Sequence, residues 1–107
     1  MKKILILMFF CNSVFAQVQI AQFNAEWNSV NTVGWFMELN DCKTKSYTDI
    51  AKNPELATKH KIAVIPTIII FKDDIEVARF QADLSFKMVA TKQDVQDEID
   101  NILMSDF

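Results

Sequence analysis

The chain has 107 residues, 50% of them hydrophobic, with a net charge of −3 at pH 7. That length holds one domain, and its apolar content with one Gly and two Pro excludes intrinsic disorder and linker-rich or collagen-like chains. The acidic balance, which grows once Lys2 and Lys3 are removed, excludes a nucleic acid backbone as a natural partner.

Met1 to Ala16 has the three regions of a secretory signal peptide. Lys2 and Lys3 form a positive start, Ile4 to Cys11 is an unbroken apolar run, and Val14-Phe15-Ala16 supplies the cleavage end. A membrane span needs about 20 apolar residues, and Asn12, Ser13, Gln17 and Gln19 stop the run short. Lipid attachment at Cys11 is the alternative processing route, disfavoured by Phe10 before it. The expectation is a signal peptide over 1–16 and one domain over 17–107. The product is exported, periplasmic or secreted, without stable membrane insertion, and carries Cys42 as its one thiol.

Val18 to Phe23 reads as a central strand, with Val18 and Ile20 on one face and Ala21 and Phe23 on the other. Ser29 to Leu39 is predicted helical, with Val33, Phe36, Met37 and Leu39 as its stripe, although Gly34 weakens it. Lys43 to Ile50 is predicted as a strand with Tyr47 and Ile50 in the core. Asn53 is the expected N-cap of a short helix, and Pro54 its first residue. Thr67 to Phe71 is the strongest strand signal; Lys72-Asp73-Asp74 turns it back into Glu76 to Gln81. Thr91 and Asp94 form a capping box before a helix with Val95, Ile99, Ile102 and Leu103 inward, and Ser105-Asp106-Phe107 is a frayed tail. The order β-α-β-α-β-β-α implies an α/β fold: a compact four-stranded mixed sheet with helices on both faces.

Gln22-Phe23-Asn24-Ala25-Glu26-Trp27, Asn53-Pro54-Glu55-Leu56-Ala57 and Lys61-Ile62-Ala63-Val64-Ile65-Pro66-Thr67 to Phe71-Lys72 occur in an order that resembles thioredoxin. The resemblance spans roughly residues 18 to 103. It implies the thioredoxin-like fold, without the family's amino-terminal strand and helix, and a cis peptide bond at Ile65-Pro66. It also shows departures. Asn28-Ser29-Val30-Asn31 stands where the family has Cys-Gly-Pro-Cys, and Gln22 where it keeps a buried acid. Disulfide exchange needs an attacking thiolate and a resolving thiol, which amides do not supply. The implied protein keeps the fold and not the dithiol chemistry.

The candidate residues for binding a protein or peptide are therefore Trp27, Asn28, Ser29, Asn31, Ile65, Pro66, Gln81 and Phe86. Trp27 is either an exposed anchor or a core residue. Asn28 and Asn31 either cap a helix or recognise a partner. By resemblance, Ile65 before Pro66 pairs its backbone with an extended peptide, a mode that needs no thiol. Phe80 to Ala90 is longer than the family's loop; its Phe86, Met88 and Val89 either pack beneath the last helix or form an apolar lip or homodimer surface. Cys42 is the weak catalytic candidate, the basis of the alternative reading as a single-thiol oxidoreductase. His60, the one histidine, is expected to be solvated or packed. No metal site and no cofactor are implied.

Overall fold

The computed structural model describes residues 17–105. The leader reading and the end of the expected tail, Asp106-Phe107, lie outside the described residues. Four strands form one sheet in the order β2-β1-β3-β4: β1 (Val18–Asn24), β2 (Thr44–Asp49), β3 (Thr67–Lys72) and β4 (Ile75–Gln81). β1 runs parallel to β2 and antiparallel to β3, and β3 pairs antiparallel with β4. The two-residue turn between β3 and β4 places Asp73 and Asp74 at φ 52° and 69°, the left-handed pair that matches strand twist. The helices are α1 (Pro54–Lys59) and α2 (Lys92–Met104). The expected mixed α/β sheet is present.

The alternation along β1 and β3 divides the core. Val18, Ile20, Ile68 and Ile70 face one side and pack with Val33, Phe36, Leu39, Val95, Ile99 and Ile102. Ala21, Phe23 and Ile69 face the other, against Ile50, Ile62 and Phe71. The Thr91–Asp94 capping box is formed reciprocally, which fixes the start of α2. Arg79 ties β4 to the end of α1 by donating to the carbonyls of His60 at 2.6 Å and Lys61 at 3.0 Å while paired with Glu76.

Three local expectations are corrected. The helix over Ser29 to Leu39 is replaced by two 3₁₀ turns, Glu26–Asn31 and Gly34–Glu38, separated by Thr32 and Val33 in non-helical conformations. Buried Val33, Phe36 and Leu39 recur every three residues, the 3₁₀ period, and Met37 faces solvent. The break has a cause in β1. Buried Gln22 accepts the Val33 N–H at 2.8 Å and donates to the Val33 carbonyl at 3.5 Å, so the Val33 N–H is withheld from a continuous helical ladder, while its carbonyl accepts the Phe36 N–H at 3.3 Å and starts the second turn. Tyr47 is exposed rather than in the core, because β2 is an edge strand. Asn53 precedes α1 as expected, but its side chain donates to the Asp49 carbonyl and makes no cap bond; Pro54 does open the helix.

His60 is a packing residue, its ring 5.4 Å from that of Phe23 and 5.5 Å from that of Phe71. Burial, then the neighbouring Lys59 charge, hold its pKa below 6.5, with Glu76 acting in the opposite sense. The unfolded chain therefore binds the proton more readily. Stability is fully present above the unfolded value of about 6.5 and is lost as pH falls from there through the folded value. Proton NMR of this lone histidine is expected to show a titration midpoint below 6.5, and a midpoint above it would contradict the packing.

Gln22 generates a second prediction. In Gln22→Glu a buried carboxylate faces the Val33 carbonyl, so its folded pKa rises above the unfolded value of about 4.3. The variant should come nearest wild-type stability below about pH 4 and fall behind as pH rises through that raised value. Urea midpoints across pH would show this widening gap; a constant gap would contradict the clamp.

Candidate functional site

The face of β1 that carries Val18 and Ile20 continues with Gln22 and Asn24, both buried. The strand thus changes from apolar to amide on one side as it nears its carboxyl end. Gln22 clamps Val33. Asn24 donates to the Asn28 carbonyl at 3.3 Å and the Thr32 hydroxyl at 3.1 Å, and accepts from the Asn28 side chain at 3.1 Å. The Asn28 side chain also donates to the Phe86 carbonyl at 3.3 Å and accepts from the Asn31 side chain at 2.8 Å. Asn28 and Asn31 therefore do not cap a helix. They join each other, Asn24 and a distant loop.

The turn is anchored at its start as well. The Glu26 N–H donates to the Asp49 carboxylate at 3.1 Å, and Asp49 also accepts from the amides of Ala51 and Lys52. Held at both ends, Glu26–Asn31 presents Trp27, 65% exposed, and Val30, 89% exposed. These two flank a kink at Asn28, whose φ of −111° and ψ of 21° depart from helical values. Ser29 is exposed between them, with its carbonyl bonded to the Thr32 N–H.

The loop after β4 meets this turn. Ala82 bridges to Met88, and Asp83 N–H donates to the Lys87 carbonyl. The Asp83 carboxylate accepts from the Ser85 hydroxyl at 2.6 Å and from the amides of Ser85 and Lys87. The Ser85 hydroxyl is the first cause that holds this carboxyl below its usual range, followed by the Lys87 and Ser85 amides. This folding of the loop puts Phe86 at φ 64°, a left-handed conformation that costs a bulky residue on the order of 1–2 kcal/mol. The Phe86 ring meets Trp27 edge-on with centroids 5.2 Å apart. Leu84, at the loop tip, is 93% exposed.

The expected binding residues divide accordingly. Trp27, Asn28, Asn31 and Phe86 are brought together. Gln81 is exposed at the end of β4, paired with Thr67. The Ile65-Pro66 bond is cis, as the resemblance implies, and the Pro66 carbonyl accepts the Ala82 N–H at 3.0 Å. Both residues are buried, Ile65 to 3% exposure. Four contributors were not singled out by sequence: Asn24, Asp49, Val30 and Leu84. The period-two stripe Val18, Ile20, Gln22, Asn24 carries the signal for the first, since two amides on a buried face demand partners.

Cys42 stands apart. The next residue, Lys43, bonds the Val18 carbonyl at the opposite end of β1, and six strand residues span about 20 Å. The thiol is half-buried against the main core, and burial is the first cause of its raised pKa, with Lys45 opposing and Asp41 and Asp100 reinforcing the rise. A hollow of about 230 Å³ lies against β1, β2 and α1, lined by Phe23, Thr44, Ser46, Thr48 and His60 among others. None of its lining residues comes from the turn or the loop. Among the described residues no cluster of His, Cys, Asp and Glu could hold a metal ion.

No family model matches the chain, and no curated protein matches it. Solved structures do. A mutant thioredoxin from Halobacterium salinarum is 21% identical, with a TM-score of 0.63 over 81% of this chain and 75% of that one. Thioredoxin-2 of the malaria parasite, described as a component of its protein secretion machinery, is 22% identical, with a TM-score of 0.60 over 80% of this chain and 84% of its own. Thioredoxin from Fasciola hepatica is 18% identical, with a TM-score of 0.52 over 94% and 91%. Identities this low speak of architecture, and the architecture is plain: this chain has the thioredoxin-like fold.

Proposed function

We infer that the protein is an exported binding module. It docks a protein or peptide on the surface formed by Glu26–Asn31 and the loop after β4, and it does not exchange disulfides. The observation that carries this reading is the apolar pair of segments fixed in place there. Trp27, Val30, Leu84 and Phe86 are exposed, and the Trp27–Phe86 ring contact and the Asn28 bond to the Phe86 carbonyl join the segments that bear them. Large exposed apolar side chains on a preorganised support are the features of an interaction site. Trp27 is the natural anchor, since Trp combines a large apolar area with a polar edge at low entropic cost. The leader pattern of Met1 to Ala16 supports export.

Chemistry through Cys42 has geometry and electrostatics against it. The thiol lies at the far end of β1 from this surface, and a raised pKa leaves little thiolate at neutral pH.

Capture of envelope proteins by the wild-type protein, against capture by Trp27→Ala and Leu84→Ser, tests the docking surface. Both side chains are exposed, so the fold should tolerate the changes within about 0.5 kcal/mol. Loss of an aromatic anchor should weaken a specific complex by roughly thirtyfold. Partners retained equally by both variants would sink the assignment. An insulin reduction assay tests the second half of the reading. No turnover is expected from wild type or Cys42→Ala, whereas turnover lost only in Cys42→Ala would establish a single-thiol enzyme.

A further inference from the structure

β2 borders the sheet and pairs with β1 alone. The ladder settles which of its backbone groups face the open side. On the β3 side of β1 the Gln17 carbonyl accepts the Asp73 N–H. Backbone groups alternate sides along a strand, so the even-numbered residues of β1 turn toward β2. In a parallel pair each of these bonds the two residues that flank its opposite number. Asn24, opposite Asp49, accordingly accepts the Ile50 N–H. Lys45, Tyr47 and Asp49, opposite Ile20, Gln22 and Asn24, therefore direct their N–H and C=O groups outward. The Asp49 carbonyl is taken by the amides of Lys52 and Asn53. Among the described residues the outward groups of Lys45 and Tyr47 have no partner. Little protects this edge. Its six residues pair with β1 without a bulge, none is Pro, and the Lys45 ammonium is drawn off to the Met37 carbonyl at 2.7 Å. The opposite edge, β4, carries a register shift at Ile70/Phe71.

We propose that β2 is a homodimer interface: two copies pair their β2 strands antiparallel about a two-fold axis at Tyr47, joining two four-stranded sheets into one. The charges along the strand select the second copy and its register. With the axis at Tyr47, Lys45 of each copy lies opposite Asp49 of the other, so a cation faces an anion at both ends of the contact. Opposite charges across a ladder stabilise it, and like charges oppose it. An axis at Lys45 or at Asp49 sets like charges against each other. An axis at Ser46 or Thr48 parts Lys45 from Asp49. The same register spends the outward backbone groups. Tyr47 N–H donates to the Tyr47 carbonyl of the other copy, twice by symmetry, and each Asp49 N–H meets a Lys45 carbonyl. A closed two-fold contact of this kind uses one patch on both copies and stops at two. It lies on a strand edge that neither the Glu26–Asn31 turn nor the loop after β4 occupies, so it stands apart from the docking reading.

Sedimentation of the purified protein over a range of concentrations, together with cysteine cross-linking, tests this. Wild type should sediment as a dimer that dissociates on dilution. Lys45→Glu sets acids opposite each other at both ends and should raise the dissociation constant roughly tenfold. For cross-linking, Cys11 and Cys42 are replaced by Ala and one new thiol is placed at Tyr47, Val77 or Leu84, all exposed. Directly opposed residues of a hydrogen-bonded antiparallel pair have their Cα atoms about 5.5 Å apart, within disulfide reach. Mild oxidation should therefore link Tyr47→Cys into a dimer and leave Val77→Cys, on β4, and Leu84→Cys, on the loop, unlinked. A protein that stays monomeric as its concentration rises overturns the proposal and leaves the edge to other chains or to solvent. A dimer that Lys45→Glu does not weaken overturns it too, as does one that links through Val77→Cys or Leu84→Cys instead. The cross-link is read on a chain that keeps Lys45, so loss of folding in Lys45→Glu cannot mask the result. Capture of envelope proteins through Trp27 is a separate measurement, so either idea can fail alone.

Discussion

Two side-chain amides on one face of β1 determine the shape of the functional end of this molecule. Gln22 and Asn24 are buried where an alternating strand would ordinarily place apolar residues, and each spends its hydrogen-bonding capacity on the segment that follows the strand. An amide both donates and accepts, so Gln22 can grip the N–H and the C=O of Val33 together. A carboxylate could take only the N–H. The interruption at Thr32 and Val33, the two 3₁₀ turns and the outward display of Trp27 all follow from that grip.

The span from Asn28 to Asn31 is closed by a side-chain bond of 2.8 Å. A neutral hydrogen bond is worth about 1 kcal/mol net, whereas a disulfide contributes about 2–4 kcal/mol. One amide bond therefore does not hold such a turn by itself. The chain compensates by number: Asn24 binds from below, Asp49 caps the start, and Asn28 reaches the loop. The result is a shared network in which no member is an unpaired buried polar side chain. Rigidity comes from redundancy, and it lets apolar side chains remain exposed without collapsing onto the body of the domain.

The sheet was legible in the sequence because its signals are local and strong. Ile68-Ile69-Ile70 on both faces of β3, the Asp73-Asp74 turn and the Thr91–Asp94 box each act within a few residues. The expected helix after β1 failed for a nonlocal reason. Ser29 to Leu39 has a stripe that fits a helix, but Gln22, on a different element, takes Val33 out of it. Tyr47 failed because propensity says nothing about which strand lies at an edge. Within the candidate site, Trp27, Asn28 and Asn31 were singled out through the resemblance and Phe86 through the loop's departure from it, while the burial of Ile65 was not anticipated. The joining of the turn to the loop rests on the contacts of Phe86 with Trp27 and Asn28, which no spacing along the chain encodes.

The order of the strands has a consequence for how the chain acquires its structure. β1 comes first in the described chain yet lies inside the sheet, between β2 and β3. Its parallel neighbour follows a crossover, and its antiparallel neighbour comes later still, beyond α1. Among the described strands, the only pair joined by a tight hairpin turn is β3 with β4. Closing distant segments costs chain entropy before their contacts repay it, so the late hairpin is the local seed and β1 is inserted against it. β2 can satisfy one edge of that strand within the first half of the chain, but the other edge stays open until β3 arrives, so the amino-terminal half is a ligand for the carboxyl-terminal half before the sheet is complete.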